Sequence, residues 1–258
     1  MKILFITHLN QNTKMMNDIL HDSVLHGLRE IYGNNVIDYP GAWYMYNEEV
    51  KKKNFDIKNL WGKGFTFYNL LSNYDQIDRT DIQNKILKNY FDIIIFGSIR
   101  RSSRFLEEAI NSRSKIIFID GEDNISINEK ILNKGVYFKR ELISHKCENI
   151  YPINFSIPKK KIILKINANP KFILAPLIPH RYSTYIYSSE RDYYKMWQDS
   201  IFGLTYVHGG WWDALRYYEM LMNGCIPLIL NLKKCPVDTL TQLPKKELFD
   251  VFNKYSWI

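Results

Sequence analysis

Short runs of apolar residues alternate along the chain with longer segments in which apolar and polar positions mix. The runs are largely apolar rather than apolar at every second position, which is typical of parallel strands covered on both faces. The runs that predict strands are 2–7, 35–39, 91–98, 114–120, 172–177, 201–207 and 226–230. The segments that predict helices are 14–32, 102–112, 189–199 and 213–223. This alternation predicts an α/β protein with doubly wound parallel sheets.

Two stretches interrupt the alternation. Residues 44–78 are rich in aromatic residues and lysine without a clear period, which indicates a long insertion, and we expect a hairpin around 61–65. Pro152, Pro158 and the three lysines that follow indicate a linker. We therefore expect two Rossmann-like domains, residues 1–155 and residues 156–258, each with its own parallel sheet. The second is short for a complete doubly wound domain.

Composition narrows the class of protein. Hydrophobic residues make up 46% of the chain and charged residues 24%, as in ordinary globular proteins. No apolar run approaches the roughly 20 residues of a membrane-spanning helix, and the apolar run at the start is too short for a signal peptide. We therefore expect a cytoplasmic protein. The three cysteines show no C-x-x-C spacing, which argues against a disulfide framework and a zinc site.

The formal net charge of +8 is unevenly distributed. Residues 1–150 carry a net charge of +2, whereas residues 151–258 carry +6. A basic half indicates an anionic ligand or attraction to an acidic surface, although the same charges also suit a solvated face. No helix-turn-helix, RRM or zinc pattern accompanies the charge, so we expect no nucleic-acid partner.

The glycines and charged residues between positions 209 and 224 are spaced as in a loop and helix that bind an anion. Gly209 and Gly210 follow a predicted strand and permit the close approach of a ligand. Asp213 is placed to cap the following helix and Gly224 to end it. A helix N-terminus beside a glycine loop favours anions, and Arg216, one turn in, can form two hydrogen bonds with a phosphate.

Glu219 follows Arg216 by three residues and can accept hydrogen bonds from sugar or ribose hydroxyls. The alternative is that Glu219 and Arg216 merely pair on a solvated helix surface, where such a pair contributes little. Spacing alone does not separate these two interpretations.

The same segment resembles the donor-binding helix of GT-B glycosyltransferases, and most resembles exostosin-like and related bacterial and viral proteins. Those proteins carry a pattern of the kind G-G-W-D-x-x-R-x-Y-E-x-x-x-x-G-C-I-P. The matching residues are Gly209, Gly210, Asp213, Arg216, Tyr218, Glu219, Gly224, Cys225, Ile226 and Pro227. The pair Trp211-Trp212 departs from the pattern, which has one tryptophan there. The resemblance extends to 137–142, 155–158, 189–194 and 200–205, and covers the N-terminal half only in layout.

The resemblance implies a GT-B-like fold and a glycosyltransferase that moves a sugar from a nucleotide-sugar donor to a glycan or other acceptor, without a metal or other cofactor. In that fold family, a glutamate on this helix holds the ribose, while loop amides and basic side chains hold the diphosphate. The substrate-binding candidates are Arg181, Gly209, Gly210, Asp213, Arg216, Tyr217 and Glu219. His8 follows the first strand, on the side of the acceptor, and is a candidate catalytic base. The alternative is a structural role, which is more common for a lone histidine after a strand.

Other charged clusters allow different interpretations. Asp120-Gly121-Glu122-Asp123 ends an apolar strand, as the metal-binding acids of GT-A glycosyltransferases do. Acids at a strand end also commonly face a ligand crevice or solvent, and we expect no metal here. We expect Arg100, Arg101 and Arg104 to form a solvated basic face.

A glycosyltransferase is therefore the main functional hypothesis. A non-catalytic binding or assembly protein on the same fold is the alternative. We expect no transmembrane segment, and the basic charge leaves peripheral association with a membrane open.

Overall fold

Two parallel β-sheets organise the protein. The computed structural model describes residues 1–8, 17–53, 55–144, 148–206 and 212–255. The strands are β1 (Ile3–Ile6), β2 (Val36–Tyr39), β3 (Ile93–Phe96), β4 (Lys115–Asp120), β5 (Val136–Lys139), β6 (Ile150–Pro152), β7 (Phe172–Leu174), β8 (Ser200–Tyr206) and β9 (Ile226–Leu230). The α-helices are α1 (Ile19–Tyr32), α2 (Asn47–Lys53), α3 (Ile82–Leu87), α4 (Leu106–Asn111), α5 (Glu190–Gln198), α6 (Leu215–Met222) and α7 (Lys245–Tyr255).

The first sheet has six strands in the order β2-β1-β3-β4-β5-β6, and the second has three in the order β7-β8-β9. Every pairing in both sheets is parallel. The expectation of an α/β protein with two parallel sheets is therefore confirmed. The first sheet ends at Pro152 and the second begins at Phe172, while the division into two domains stays a prediction.

The central strands of the first sheet are apolar because both of their faces are covered. All four residues of β1 are buried, and β1 lies between β2 and β3. Ile3 pairs with Val36 on one side and with Ile93 on the other. This order places the topological switch point between β1 and β3, and ligands of open α/β sheets bind outside the carboxyl ends of the strands there.

Helix α1 begins and ends at residues suited to those positions. The Asp18 carboxylate accepts hydrogen bonds from the backbone N–H groups of Leu20 and His21, which satisfies two donors of the first turn. Gly33 ends the helix at φ 54°, a conformation that glycine adopts readily. The predicted helix over 14–32 is thus confirmed from Ile19 onward; residues 14–16 lie outside the described residues.

Several element predictions are wrong in detail. No hairpin forms around 61–65: Gly62 and Lys63 both have φ 57°, and the described segment forms tight turns that place Leu60 and Phe67 in the core. Helix α4 begins at Leu106 rather than 102, because the preceding turn is held to the first sheet by the Ile99 N–H, which donates to the Ile119 carbonyl.

Strands β5 and β6 were not predicted. Lys139 interrupts the apolar pattern of β5, yet its side chain is fully buried and its ammonium lies 3.0 Å from the Asp120 carboxylate. Pro152, predicted to begin a linker, instead ends the edge strand β6, where proline is tolerated. Helices α2, α3 and α7 were also missed. The segments of α2 and α3 are short, whereas α7 carries Leu248, Val251, Phe252 and Tyr255 at the spacing of one helix face, a pattern from which it could have been predicted.

Hydrogen bonds connect the chain after β5 to the segments before α6 and before α7. After β5, the Glu141 carboxylate accepts from the backbone N–H groups of Trp212 (2.9 Å) and Asp213 (3.0 Å), just before α6. The Thr239 hydroxyl donates to the Leu142 carbonyl at 2.6 Å. These contacts fix the start of α6 against the carboxyl edge of the first sheet. None of the helices in the described ranges combines the length and apolar character needed to cross a membrane.

Candidate functional site

A cleft of about 590 Å³ lies between the carboxyl edges of the two sheets. Loops after β3, β4 and β5 contribute Arg101, Gly121 and Arg140 to its wall. The second sheet contributes Thr205 at the end of β8, together with Leu177 after β7. Because the carboxyl edges of both parallel sheets line one cavity, it occupies the position where α/β sheets bind ligands.

Helix α6 forms one wall of the cleft through Arg216, Tyr217 and Glu219. The Nε of Arg216 is buried without a hydrogen-bond partner, and its guanidinium lies 5.5 Å from the centre of the Tyr185 ring. Among the described residues, Arg216 has no carboxylate within ion-pair distance. Arg216 therefore forms no ion pair at contact distance in the cleft wall, although the Glu219 carboxyl on the same helix is near enough to act on its charge.

Glu219 faces the same cleft but is already hydrogen bonded. Its carboxylate accepts from the Thr66 hydroxyl at 2.6 Å and from the Tyr193 hydroxyl at 2.7 Å. Burial raises the pKa of Glu219 above its ordinary value, while these two hydroxyls and Arg216 act in the opposite direction. The alternative interpretation, a pair of Arg216 and Glu219 on a solvated surface, is not observed, since Glu219 is buried.

Asp213 is buried outside the cleft lining, and its predicted role as helix cap is wrong. Helix α6 instead begins after Ala214, which makes no side-chain cap. One Asp213 carboxylate oxygen accepts from the Asn154 side chain and the Phe155 backbone N–H, both at 3.2 Å, because the segment before α6 packs against the chain that follows β6. Burial raises the pKa of Asp213 to about 6. Asp213 therefore connects the segment before α6 to the segment after β6.

Arg140 lies at the cleft directly beside this junction. Its side chain donates to the backbone carbonyls of Asp213 and Gly121 and pairs with Asp123. It also stacks over the Phe155 ring, with 5.0 Å between the guanidinium carbon and the ring centre. Arg140 is thus held on several sides at the cleft, whereas Arg216 is not.

The acids that end β4 are matched by basic side chains. Asp120 pairs with Lys139 at 3.0 Å and with Arg100 at 2.9 Å, and Glu122 pairs with Arg101 at 2.8 Å. Within the described ranges, no cluster of three or more histidine, cysteine or acidic residues has a geometry that would hold a metal. The acids at this edge therefore form ion pairs with basic side chains on or after neighbouring strands.

The three arginines after β3 are exposed, as expected, but two of them also form ion pairs with neighbouring acids. Arg101 pairs with Asp18 at 3.3 Å as well as with Glu122, and it lines the cleft. Arg100 pairs with Asp120, and Arg104 lies over the Tyr39 ring. The position of these residues after a central strand was the sequence pattern that could have placed Arg101 at the site.

His8 is buried beneath the cleft rather than in its lining. Its ring packs edge-on against His21, with centroids 5.1 Å apart, and Arg101 lies 3.5 Å from its Nε2. Burial, together with the nearby His21, lowers the pKa of His8 to about 3. His8 is therefore neutral at physiological pH and a weak base.

The remaining predicted residues divide between the cleft, the surface and an undescribed segment. Tyr217 lines the cleft, and burial raises its pKa to about 12. Arg181 is exposed and lies outside the cleft lining, although its neighbour His180 contributes to it. Gly209 and Gly210 lie outside the described residues.

Sequence reasoning missed an aromatic side of the cleft. The insertion contributes Trp61 and Phe65, and the loop before α5 contributes Tyr185 and Tyr187. Phe65 packs on Tyr193 of α5 with ring centroids 5.5 Å apart. The aromatic content of 44–78 was visible in the sequence, but its lack of periodicity gave no indication of which residues reach the cleft.

Thr66, which binds Glu219, has φ 81°. This is unusual for a β-branched residue, and such strain persists only where surrounding contacts hold the residue in place. The Thr66 side chain is fully buried between Tyr194 and Glu219, with 2.5 Å between its hydroxyl and that of Tyr194. The strained backbone thus places this hydroxyl beside the cleft.

Comparison of the chain with protein-family models, with curated proteins and with solved structures finds no match.

Proposed function

We propose that the cleft binds a nucleotide-sugar donor and that the protein is a glycosyltransferase. The observation that carries this proposal is the placement of Arg216. An arginine without an ion pair projects from the first turn of α6 into a cleft at the carboxyl edges of two parallel sheets. Such a group is suited to a phosphate, which accepts two hydrogen bonds from one guanidinium.

The rest of the cleft suits the other parts of such a ligand. Its volume of about 590 Å³ falls in the range of sites for small molecules and cofactors. Tyr185, Tyr187 and Trp61 offer ring faces to a base or a sugar. Glu219 still has lone pairs free for a ligand hydroxyl, because each carboxylate oxygen can accept more than one hydrogen bond.

In the proposed reaction, an acceptor hydroxyl attacks the anomeric carbon of the donor sugar. The bond from that carbon to the diphosphate oxygen breaks, the nucleoside diphosphate leaves with the electron pair, and the acceptor proton passes to a base. Negative charge grows on the leaving diphosphate, and Arg216 would stabilise it without a metal ion. Arg140 and Arg101 add positive charge to the same cleft, partly offset by their acidic partners.

A non-catalytic binding protein on the same scaffold is the second candidate. It is favoured by the state of His8, which is buried outside the cleft lining and has a pKa lowered to about 3. A base this weak is poorly matched to accepting a hydroxyl proton at neutral pH. Binding of a donor without transfer or hydrolysis of its sugar would support this candidate.

Calorimetric titration with UDP-, GDP-, ADP- and CMP-sugars tests the proposal. We expect one class to bind, and Arg216→Ala to weaken that binding by about tenfold or more, since a hydrogen bond to a charged group contributes about 1.5–3 kcal/mol. Arg181→Ala is the matched control, because this exposed arginine lies outside the lining and should leave the affinity unchanged. Failure of all four classes to bind, or equal effects of both variants, would contradict the proposal.

A further inference from the structure

An exposed basic and apolar surface lies on the chain between the two sheets and at the start of β7. We define the basic apolar face by residues Lys159, Lys160, Ile162, Leu164, Lys165, Ile166, Phe172 and Ile173, all of which are exposed. Leu164 is fully exposed, Ile166 is 67% exposed and Ile173 is 60% exposed. Neighbouring large apolar side chains on one surface, unlike single scattered ones, mark a site of interaction with another surface.

Among charged side chains, the chain around this face carries only positively charged ones. No aspartate or glutamate occurs between Glu148 and Glu190, whereas the same stretch holds five lysines and one arginine. Lys161 pairs with Glu190, and Lys171 pairs with Asp199. Across the described residues, the remaining lysines of the stretch, at 159, 160 and 165, form no ion pair. The exposed apolar side chains therefore lie in a stretch of chain whose lysines at 159, 160 and 165 have no acidic partner.

The apolar part of the face, from Leu164 to Ile173, lies at the end of the second sheet that is remote from the cleft, whereas Lys160 contacts the Leu70 carbonyl of the insertion. The Ile163 N–H donates to the Met222 carbonyl at the end of α6, and the Phe172 N–H donates to the Asp199 carbonyl just before β8. Both contacts are at the amino ends of the parallel strands, while the cleft lies at their carboxyl ends. A surface bound at the basic apolar face would leave the cleft accessible.

We propose that the basic apolar face docks on a membrane surface that contains anionic lipids. Lysines are attracted to anionic headgroups, and exposed aliphatic side chains gain by entering the boundary between headgroups and acyl chains. Charge complementarity favours this occupant over a second copy of the chain, because two copies meeting through the same face would bring like charges together. The docking is peripheral and independent of the donor proposed for the cleft.

Vesicle sedimentation tests this with the full chain. We expect binding to vesicles of phosphatidylcholine that contain about 30% phosphatidylserine, and little binding to vesicles of phosphatidylcholine alone. Lys159→Gln with Lys165→Gln should weaken binding by about fivefold for each lysine. Leu164→Ser with Ile166→Ser should weaken it by about tenfold, because less apolar surface leaves water. The matched control is Ile31→Ser with Ile125→Ser, which removes two exposed isoleucines elsewhere and should bind as the native protein does.

Other results would overturn the docking. Absence of binding to the anionic vesicles, equal binding to both vesicle types, or equal loss in the control pair would each contradict it. Sedimentation without vesicles gives a further check: self-association that Leu164→Ser with Ile166→Ser abolishes, without vesicle binding, would assign the face to a second copy of the chain. A result on nucleotide-sugars in the cleft bears on neither outcome.

Discussion

The Glu219 carboxylate of α6 accepts a hydrogen bond of 2.6 Å from the Thr66 hydroxyl, although 153 positions separate these residues. Thr66 belongs to the insertion that follows β2, whereas Glu219 packs beside the second sheet. The bond crosses the side of the cleft and fixes the distance between its two walls. A residue that resembles a ligand-binding glutamate therefore also holds the site together.

Replacing Thr66 by valine should lower stability. Thr66→Val keeps the shape and the β-branched backbone preference but removes the hydroxyl that contacts Glu219 and Tyr194. We expect the free energy of unfolding to fall by about 1–3 kcal/mol, because a buried carboxylate loses a donor. Urea denaturation measures this. Thr66→Ser retains the hydroxyl and should lose much less, and equal losses in the two variants would show that the hydrogen bond is not the cause.

The Asp213 carboxyl should make stability depend on pH. Its folded pKa of about 6 lies above its ordinary value of 3.8. Between these values the folded chain binds more protons than the unfolded chain, so this group's stabilising contribution is present at low pH. That contribution is lost as pH rises from about 4 to about 6, by about 3 kcal/mol in total.

Asp213→Asn should remove this slope and stabilise the protein above pH 7. The asparagine oxygen can still accept hydrogen bonds from Asn154 and the Phe155 backbone. Denaturation at pH values from 4 to 8 measures the change. Asp250→Asn, at an exposed position, serves as the control and should leave the slope as it is. A slope that persists in Asp213→Asn would assign it to another group.

Added divalent cations should leave the melting temperature unchanged. Asp120, Glu122 and Asp123 are each paired with a lysine or an arginine, so a cation would have to displace those partners. A cation at about 100 times its dissociation constant would stabilise the protein by about 2.7 kcal/mol. Thermal unfolding with manganese and with EDTA measures this. A manganese-dependent rise that Asp123→Asn abolishes would establish a metal site at this edge.

Strands that are buried on both faces could be predicted from the sequence. The strands at 114–120 and 226–230 were found closely, because continuous apolar runs are what a covered parallel strand requires. The same reasoning failed for β5, since a buried ion pair between Lys139 and Asp120 replaces apolar contact there. A search for apolar runs does not detect a charged residue that is buried because it is paired.

Only part of the site could be predicted from the sequence, because some of its residues come together only through the packing of distant segments. Arg216 and Glu219 lie three residues apart on one helix, so their common position at the cleft follows from local spacing. Thr66 and Arg101 come from distant segments, and their contacts with Glu219 and Asp18 depend on how the sheets pack. Arg181 follows a strand edge as expected but is exposed, because the turn that contains it lies outside the lining.

Replacing Glu219 by glutamine should separate its two roles. Burial raises the pKa of Glu219, so its ionised form is costly in the folded chain, and Glu219→Gln removes that cost while retaining atoms that can bond Thr66 and Tyr193. We therefore expect little loss of folding stability. An ionised carboxylate is a stronger acceptor than an amide, so affinity for a hydroxyl-bearing nucleotide-sugar should fall several-fold.

The pH dependence of that affinity gives the decisive measurement. In the native protein, affinity should rise as pH rises through the raised pKa of Glu219, because the ionised form accepts the ligand hydroxyl more strongly. In Glu219→Gln the position carries no titratable group, and the corresponding rise should be absent. Glu247→Gln removes a carboxyl on α7, away from the cleft lining, and should keep the native profile. If calorimetry gives the same affinity and the same pH profile for Glu219→Gln as for the native protein, Glu219 acts only through Thr66 and Tyr193 and does not contact the ligand.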